Sequence, residues 1–369
     1  MSDRVSADKI LLPVLRQGLV FALPLLLVAN LILWFGYQVS ISTLRAHWQT
    51  LSNLSVDATL MALEQRRNDI RADLNMLAAD PGVGQVVEHP EEEVVRRITS
   101  DWELFVAEKQ LYDQIRLIDL QGQELIRVNL NPYGASRTPE SLLQNKADRY
   151  YFQEALTLYP GQIYASPIDL NVERGEIEEP YKPMLRLATL VMDQNGKRTG
   201  LLVINVLASY IFDSLARHAQ LVQGRMLMLD HTGFYLRGFT ANQEWGFMFP
   251  ATSERHQTFK DLYPQVWNLM QRQETGQIDG PKGLFTFRTV NYGAIGQERS
   301  YRLVVVILVE RQEEALMPQK ALWGEVSLSL SVLLLVFSLW VAHGRIRVRA
   351  RPEHAARARM PGIPQRPGS

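Results

Sequence analysis

The chain has 369 residues, with 39 basic side chains balancing 39 acidic ones, and no basic stripe that would suit a nucleic-acid partner. It has no cysteine, so neither a disulfide framework nor a thiolate metal site can form. The seven histidines are scattered, and there is no His-Glu-x-x-His pair, phosphate-cradling glycine loop or Gly-x-Ser-x-Gly elbow, so no catalytic site, cofactor or metal is expected.

Residues 1–18 carry Arg4, Lys9 and Arg16 and lead into LVFALPLLLVANLILWFGY, Leu19 to Tyr37, which has no charge. At about 1.5 Å per residue this run spans a hydrocarbon layer of roughly 30 Å, so 19–38 reads as a transmembrane helix in which Pro24 and Asn30 are tolerable. It is longer than the usual signal-peptide core and no small-residue cleavage site follows it, which favours an uncleaved anchor. A second apolar run, placed at 321–343, holds Glu325 near its edge, is closed by Trp340, and meets Arg345, Arg347, Arg349 and Arg351 at once. Basic residues beside both spans put both ends in the cytoplasm and residues 39–320 outside.

Beyond the first span, Leu60, Leu63, Arg67, Ile70, Leu74 and Leu77 recur at spacings of three and four, and Leu44, Trp48 and Leu51 extend the pattern back toward the membrane. This is a long helix whose stripe is either an ordinary buried face or a dimer seam; Asp80-Pro81-Gly82 stops it. A further helix is expected from Glu91 to Glu108.

The period then changes. Ile115 to Val128 reads as a hairpin turning at Asp119 and Gly122, and its plan returns at Met226 to Arg237 with Asp230 and Gly233 in register. Each copy is followed by another strand pair: Met184 to Met192 with Gly200 to Leu207, and Leu284 to Val290 with Tyr301 to Val309, the latter turning at Asn291 to Gly293. Helices are expected at Pro139 to Leu158 and Ser209 to Val222. Hairpin-joined strands mixed with helices give an α+β fold with antiparallel sheets, in two subdomains at about 110–208 and about 223–310.

The segments IRLIDLQGQELIRV (115–128), DRYYFQEAL (148–156), VMDQNGKRTGLLVINV (191–206) and LDHTGFYLRG (229–238), in this order and between two spans, resemble the double Cache family of bacterial extracytoplasmic sensors. The likeness covers about 40–315 and implies two tandem PAS-like subdomains after a long helix, flanked by the two transmembrane helices. It also implies that the first subdomain is distal to the membrane and the second proximal, with ligand binding in the distal one. Relatives that bind amino acids carry an arginine, an aromatic two positions on, an aspartate on the following strand and a second aspartate on the last strand. Arg149, Tyr151 and Asp169 fall at the matching places, Asn205 stands at the last, and Pro167 replaces a tyrosine expected before Asp169. The carboxylate half of an amino-acid site is thereby kept and the ammonium half weakened.

Lys182 and Arg186 share one face of their strand and are added to the site by alternation. The plainer reading of Asp148 beside Arg149 is a surface ion pair of about 0 to 1 kcal/mol. Glu173, Glu176, Glu178 and Glu179 form an acidic loop with no EF-hand spacing, read as solvated.

The resemblance implies a two-pass sensor of a bacterial inner membrane, its central domain in the periplasm. It would bind a small molecule, plausibly carboxylate-bearing, and act as a homodimer or through a separate signalling partner. Only 26 residues follow His343, with seven arginines and four prolines in the last 25, so a kinase, cyclase or chemotaxis output is expected to be truncated or supplied by another chain. The rival reading is a structural assembly protein such as a polysaccharide chain-length regulator, which would be dominated by long helices.

Overall fold

The computed structural model describes residues 2–173, 175–293, 300–310 and 322–341. Two units divide the chain: Met1–His47 with Gln312–Ser369, and Trp48–Arg311. Helix α1 (Ser2–Ala78) is continuous and contributes to both. Its apolar part and the late helix at Leu322–Val341 are each long and apolar enough to cross a membrane. Leu27, Ile32, Phe35, Leu328 and Leu333 are exposed, as lipid-facing side chains would be. The one amide amid the first apolar run is satisfied between these helices: Asn30 donates to the Leu26 carbonyl (2.8 Å) and to Ser331 Oγ (3.3 Å), and accepts from Ser327 Oγ.

In the second unit, Ile70, Leu74 and Leu77 of α1 are buried against the body of the domain, which decides the open question about the lower part of the stripe. The helix ends where Asp80 caps α2 (Pro81–Glu88): its carboxylate accepts the Gly82 N–H at 2.8 Å, and Pro81 occupies the first turn, where no N–H is missed. Helix α3 (Glu92–Lys109) follows, closed by Gln110 in the left-handed conformation.

The distal sheet comprises β1 (Tyr112–Asp119), β2 (Glu124–Asn131), β3 (Gly134–Arg137), β4 (Ile163–Ala165), β5 (Asp169–Leu170), β8 (Pro183–Met192) and β9 (Arg198–Leu207). Its order is β3-β2-β1-β9-β8-β4, with β5 also on β8, every pair antiparallel. Strands β6 (Val172–Glu173) and β7 (Glu176–Ile177) form a separate ribbon within the acidic loop.

One face of the distal sheet, with Ile115, Leu117, Leu202 and Ile204, packs on α1, α2 and α3. The other, with Ile118, Ala188, Leu201 and Val203, packs under the short helix α4 (Tyr150–Ala155). The sequence suggests a helix from Pro139 to Leu158; the structure has only a 3₁₀ turn at Glu140–Leu142 and α4. Between them the chain crosses the β1–β2 hairpin, where Glu124 N–H bonds the Gln144 carbonyl (3.1 Å) and Lys146 N–H the Gly122 carbonyl (2.7 Å). Those tertiary bonds displace helical ones.

Helix α5 (Ala208–Gln220) leads to the proximal sheet. This contains β10 (Arg225–Leu229), β11 (Tyr235–Arg237), β12 (Thr275–Gly280), β13 (Gly283–Gly293) and β14 (Ser300–Glu310), ordered β11-β10-β14-β13-β12. Asn291 to Gly293, expected as a turn, continue β13 and pair with Ser300 to Arg302; the connection between β13 and β14 lies outside the described residues. Helices α6 (Phe259–Leu262) and α7 (Pro264–Arg272) cover one face through a cluster of Tyr235, Phe259, Tyr263 and Phe285. The opposite face, with Met228, Val305 and Ile307, joins the core shared with α1, α5 and the distal sheet. The helix Leu322–Val341, numbered α8, completes the set.

The sequence repeat has a physical basis. Asp119 Oδ1 accepts the N–H groups of Gln121 and Gln123, Asp230 Oδ1 those of Thr232 and Phe234, and Asp193 Oδ1 those of Asn195 and Lys197. Each turn then needs a residue at positive φ, and Gly122, Gly233 and Gly196 supply it at 87°, 95° and 77°.

Candidate functional site

Polar side chains gather on the face of the distal sheet beneath α4. Strand alternation and register set two rows across it: Arg127, Arg116, Val203 and Ala188 lie opposite one another on β2, β1, β9 and β8, and Asn129, Gln114, Asn205 and Arg186 form the next row. A charged residue in a row otherwise shared with Val and Ala must find partners.

Tyr151, on α4, is the hub. It is buried, its hydroxyl accepts from Arg116 Nη1 at 2.9 Å, and the guanidinium carbons of Arg116, Arg186 and Arg149 lie 5.5, 5.6 and 6.0 Å from its ring centroid. Arg116 Nη2 donates to Asn205 Oδ1 at 2.5 Å, and Asn205 Nδ2 donates to Gln114 Oε1 at 3.3 Å.

Arg116 Nε is buried and has no hydrogen-bond partner among the described residues. The same holds for Glu124 Oε1, which lies 3.8 Å from Arg116 Nη1. The other oxygen of Glu124 accepts from Arg127 Nη1 (3.2 Å) and from the Gln144 N–H (3.0 Å). Lys146, on the loop crossing the hairpin, is held below the usual lysine range by burial, and next by the Arg116 charge.

A second cluster adjoins this one. Arg186 donates to Asp169 Oδ1 (2.5 Å) and Asn171 Oδ1 (3.2 Å), and Tyr150 donates its hydroxyl proton to Asp169 Oδ2 (2.9 Å). Burial is the largest influence on Arg186 and opposes its charge, yet Asp169 together with Tyr150 and Tyr151 leaves the pKa raised. Burial pushes the Tyr150 phenol up, as does the Asp169 charge, so Tyr150 stays a donor.

The sequence-expected residues distribute plainly. Tyr151 and Asn205 stand with Arg116, and Arg149 approaches from the N-cap of α4. Asp169 and Arg186 pair with each other. Lys182 lies further along, 3.4 Å from Asp113 and 2.7 Å from Glu178, so its charge is matched. The acidic loop is likewise engaged, Glu178 accepting from Asn171 at 2.8 Å.

Arg116, Glu124, Arg127 and Lys146 were not anticipated from the sequence. Arg116 had a signal: a lone charge in Ile-Arg-Leu-Ile, on the strand face that must be covered. Its partners Glu124 and Lys146 had none, since only the crossing loop brings them there.

The combined charge favours an anion. Arg116, Arg127 and Lys146 lie about Glu124, Arg149 adds a further cation beside Tyr151, and Glu173 acts more weakly on Lys146. Asp169 is committed to Arg186.

A model of the bacterial histidine kinase sensor domain matches residues 59–305. Among solved structures, a domain of a protein described as sensory box/GGDEF family, from Vibrio parahaemolyticus, superposes with a TM-score of 0.59 at 23% identity, over 70% of this chain and 97% of that one. The extracellular domain of a histidine kinase designated vpHK1S-Z8 gives a TM-score of 0.59 at 22% identity, over 70% and 93%. A search of curated protein sequences finds no match. These neighbours have Cache-type folds, in keeping with the family resemblance seen in the sequence, and the two antiparallel sheets do not fit an architecture dominated by long helices.

Proposed function

The chain belongs to the bacterial histidine kinase sensor domain family, and we propose that it detects a small organic acid at the Arg116–Tyr151 site on behalf of a two-pass receptor of the inner membrane. The observation that carries this reading is the crowding of guanidinium groups about one buried phenol ring, with Arg116 Nε still free to donate. Arg116 and Arg149 would grip a carboxylate, Tyr151 would pack on its carbon skeleton, and Lys146 would close over it.

The ligand would not need an ammonium group. Asp169 is satisfied by Arg186 and Tyr150, and Asn205 presents its amide oxygen to Arg116 rather than a full charge to the ligand. In the periplasmic setting, a ligand that favours one arrangement of α1 would shift the receptor population, limited by its differential affinity for the two states.

A thermal-shift screen of the detergent-solubilised chain against organic acids, amino acids and amines tests this. A binder at 100 times its Kd adds about 2.7 kcal/mol of apparent stability. Organic acids should raise the melting temperature of the wild type, and Arg116→Gln or Arg149→Ala should abolish the rise. Stabilisation by amines alone, or an undiminished rise in both variants, would rule the reading out.

A further inference from the structure

A cavity of about 160 Å³ lies on the opposite face of the distal sheet from Tyr151, where α1, that sheet, α5 and the proximal sheet meet. Its walls are hydrocarbon: Leu63 and Ile70 of α1, Leu187 of β8, Phe212 of α5, Met228 of β10 and Leu303 of β14. An apolar cavity of about 150 Å³ stays dry and accepts benzene, so this one suits a single aromatic ring or a short alkyl chain.

The rim carries more positive than negative charge. Arg67 and Arg71, one turn apart on α1, both border the cavity, and Glu64 is the one carboxylate among its described lining residues. Glu64 pairs with an outer nitrogen of Arg67, while Arg67 Nε is buried with no hydrogen-bond partner among the described residues. Arg71 makes no ion pair or hydrogen bond among them. Arg66, also on the rim, acts electrostatically on Tyr112. An anionic group seated at Arg67 and Arg71 would complete both side chains.

We propose that this cavity is a second ligand site, specific for a small aryl or short-chain alkyl carboxylate, with the hydrocarbon body among α1 and the two sheets and the carboxylate on Arg67 and Arg71. The site shares no residue with the Arg116–Tyr151 cluster and does not depend on it. Because α1 forms one wall and both subdomains the others, the occupant bears directly on the helix that continues into the first apolar span.

Isothermal titration of the full chain in detergent, with Arg116→Gln present to disable the other site, isolates the cavity. Phenylacetate should bind saturably at one per chain, and Arg67→Gln with Arg71→Gln should weaken it at least tenfold while sparing its uncharged analogue 2-phenylethanol. Nuclear Overhauser contacts from the phenyl ring to the Met228 methyl group should appear without any cavity mutation. Absence of saturable binding, an affinity within twofold of the starting chain in the double variant, or saturable binding without contacts to Met228 would each overturn the proposal.

Discussion

Arg116 shows how much of the site rests on one side chain in an unusual place. Its β1 neighbours Ile115 and Leu117 face the helices, so Arg116 must face α4, where Tyr151 and Asn205 receive it. Lys146 experiences the consequence. Burial, then the positive charge of Arg116, lowers its pKa, so in the folded chain it gives up its proton at a lower pH than in the unfolded one. Its contribution to stability therefore rises with pH across that interval, because the unfolded chain holds the proton longer.

A bound carboxylate would reverse the local balance and raise the Lys146 pKa. Ligand binding should then take up protons, and affinity should fall as pH rises through the lowered titration range. Calorimetry in buffers of different ionisation enthalpy measures the uptake; Lys146→Met should remove it, and equal heats in all buffers for the wild type would exclude the coupling.

At the scale of elements, the junction of α1 with α2 is the clearest case of sequence chemistry becoming structure. Asp80 caps α2 and takes both terminal nitrogens of Arg97, each at 2.9 Å. The hydrogen bond from Arg97 holds the Asp80 carboxyl below its usual range, with the Gly82 N–H contributing against the cost of burial. A depressed carboxylate stabilises the fold above its unfolded pKa and loses that contribution as pH falls through the folded value. Asp80→Ala should therefore cost about 0.5–2 kcal/mol at neutral pH and much less in acid, as urea titrations at the two pH values would show. An equal deficit at both would mean that packing, not the ionised cap, sets the cost.

The turns were equally legible, because an aspartate that accepts two backbone N–H groups and a glycine at positive φ are local requirements. The segment 139–158 was not. Its helical pattern yields to the hairpin it crosses, where Gly122 leaves no room for a side chain: an added Cβ would stand 2.5 Å from the Ala147 nitrogen. That close approach lays Lys146 and Arg149 over the site.

Across the whole second unit, α1 is tied to both sheets. Asp73 accepts from the Tyr112 hydroxyl (2.5 Å) and from Lys109 (2.9 Å) on the distal side. Further along, Arg288 of β13 reaches Asp57 (3.0 Å) and Asn53 (3.1 Å), and Ser55 donates to the His218 carbonyl at the end of α5 (2.6 Å). One core runs through α1, α5 and facing sides of both sheets. Leu74→Ala, at a fully buried position, should cost about 2–5 kcal/mol. The shared core makes that loss common to both subdomains, so circular dichroism and tryptophan fluorescence should report one coincident urea transition moved to lower concentration. Two separated transitions would show the subdomains to be uncoupled.

What the sequence determined by itself follows from short-range rules: two apolar runs of spanning length, the helical stripe of α1, and hairpins set by Asp-x-x-Gly turns and alternating strands. Their order, with the four segments that carry the likeness, supported the resemblance to the Cache family. The candidate site needed the tertiary structure. Arg116, Glu124, Lys146 and Arg149 come from a strand, its partner, a crossing loop and a helix cap, and only the sheet register and the displaced 139–158 segment bring them around Tyr151. The cavity beside α1 is more remote still from sequence, since its walls come from elements separated along the chain and its rim charge shows only once Arg67 and Arg71 are placed. Local backbone preferences are written in neighbouring residues; the pairing of buried charges is written in packing.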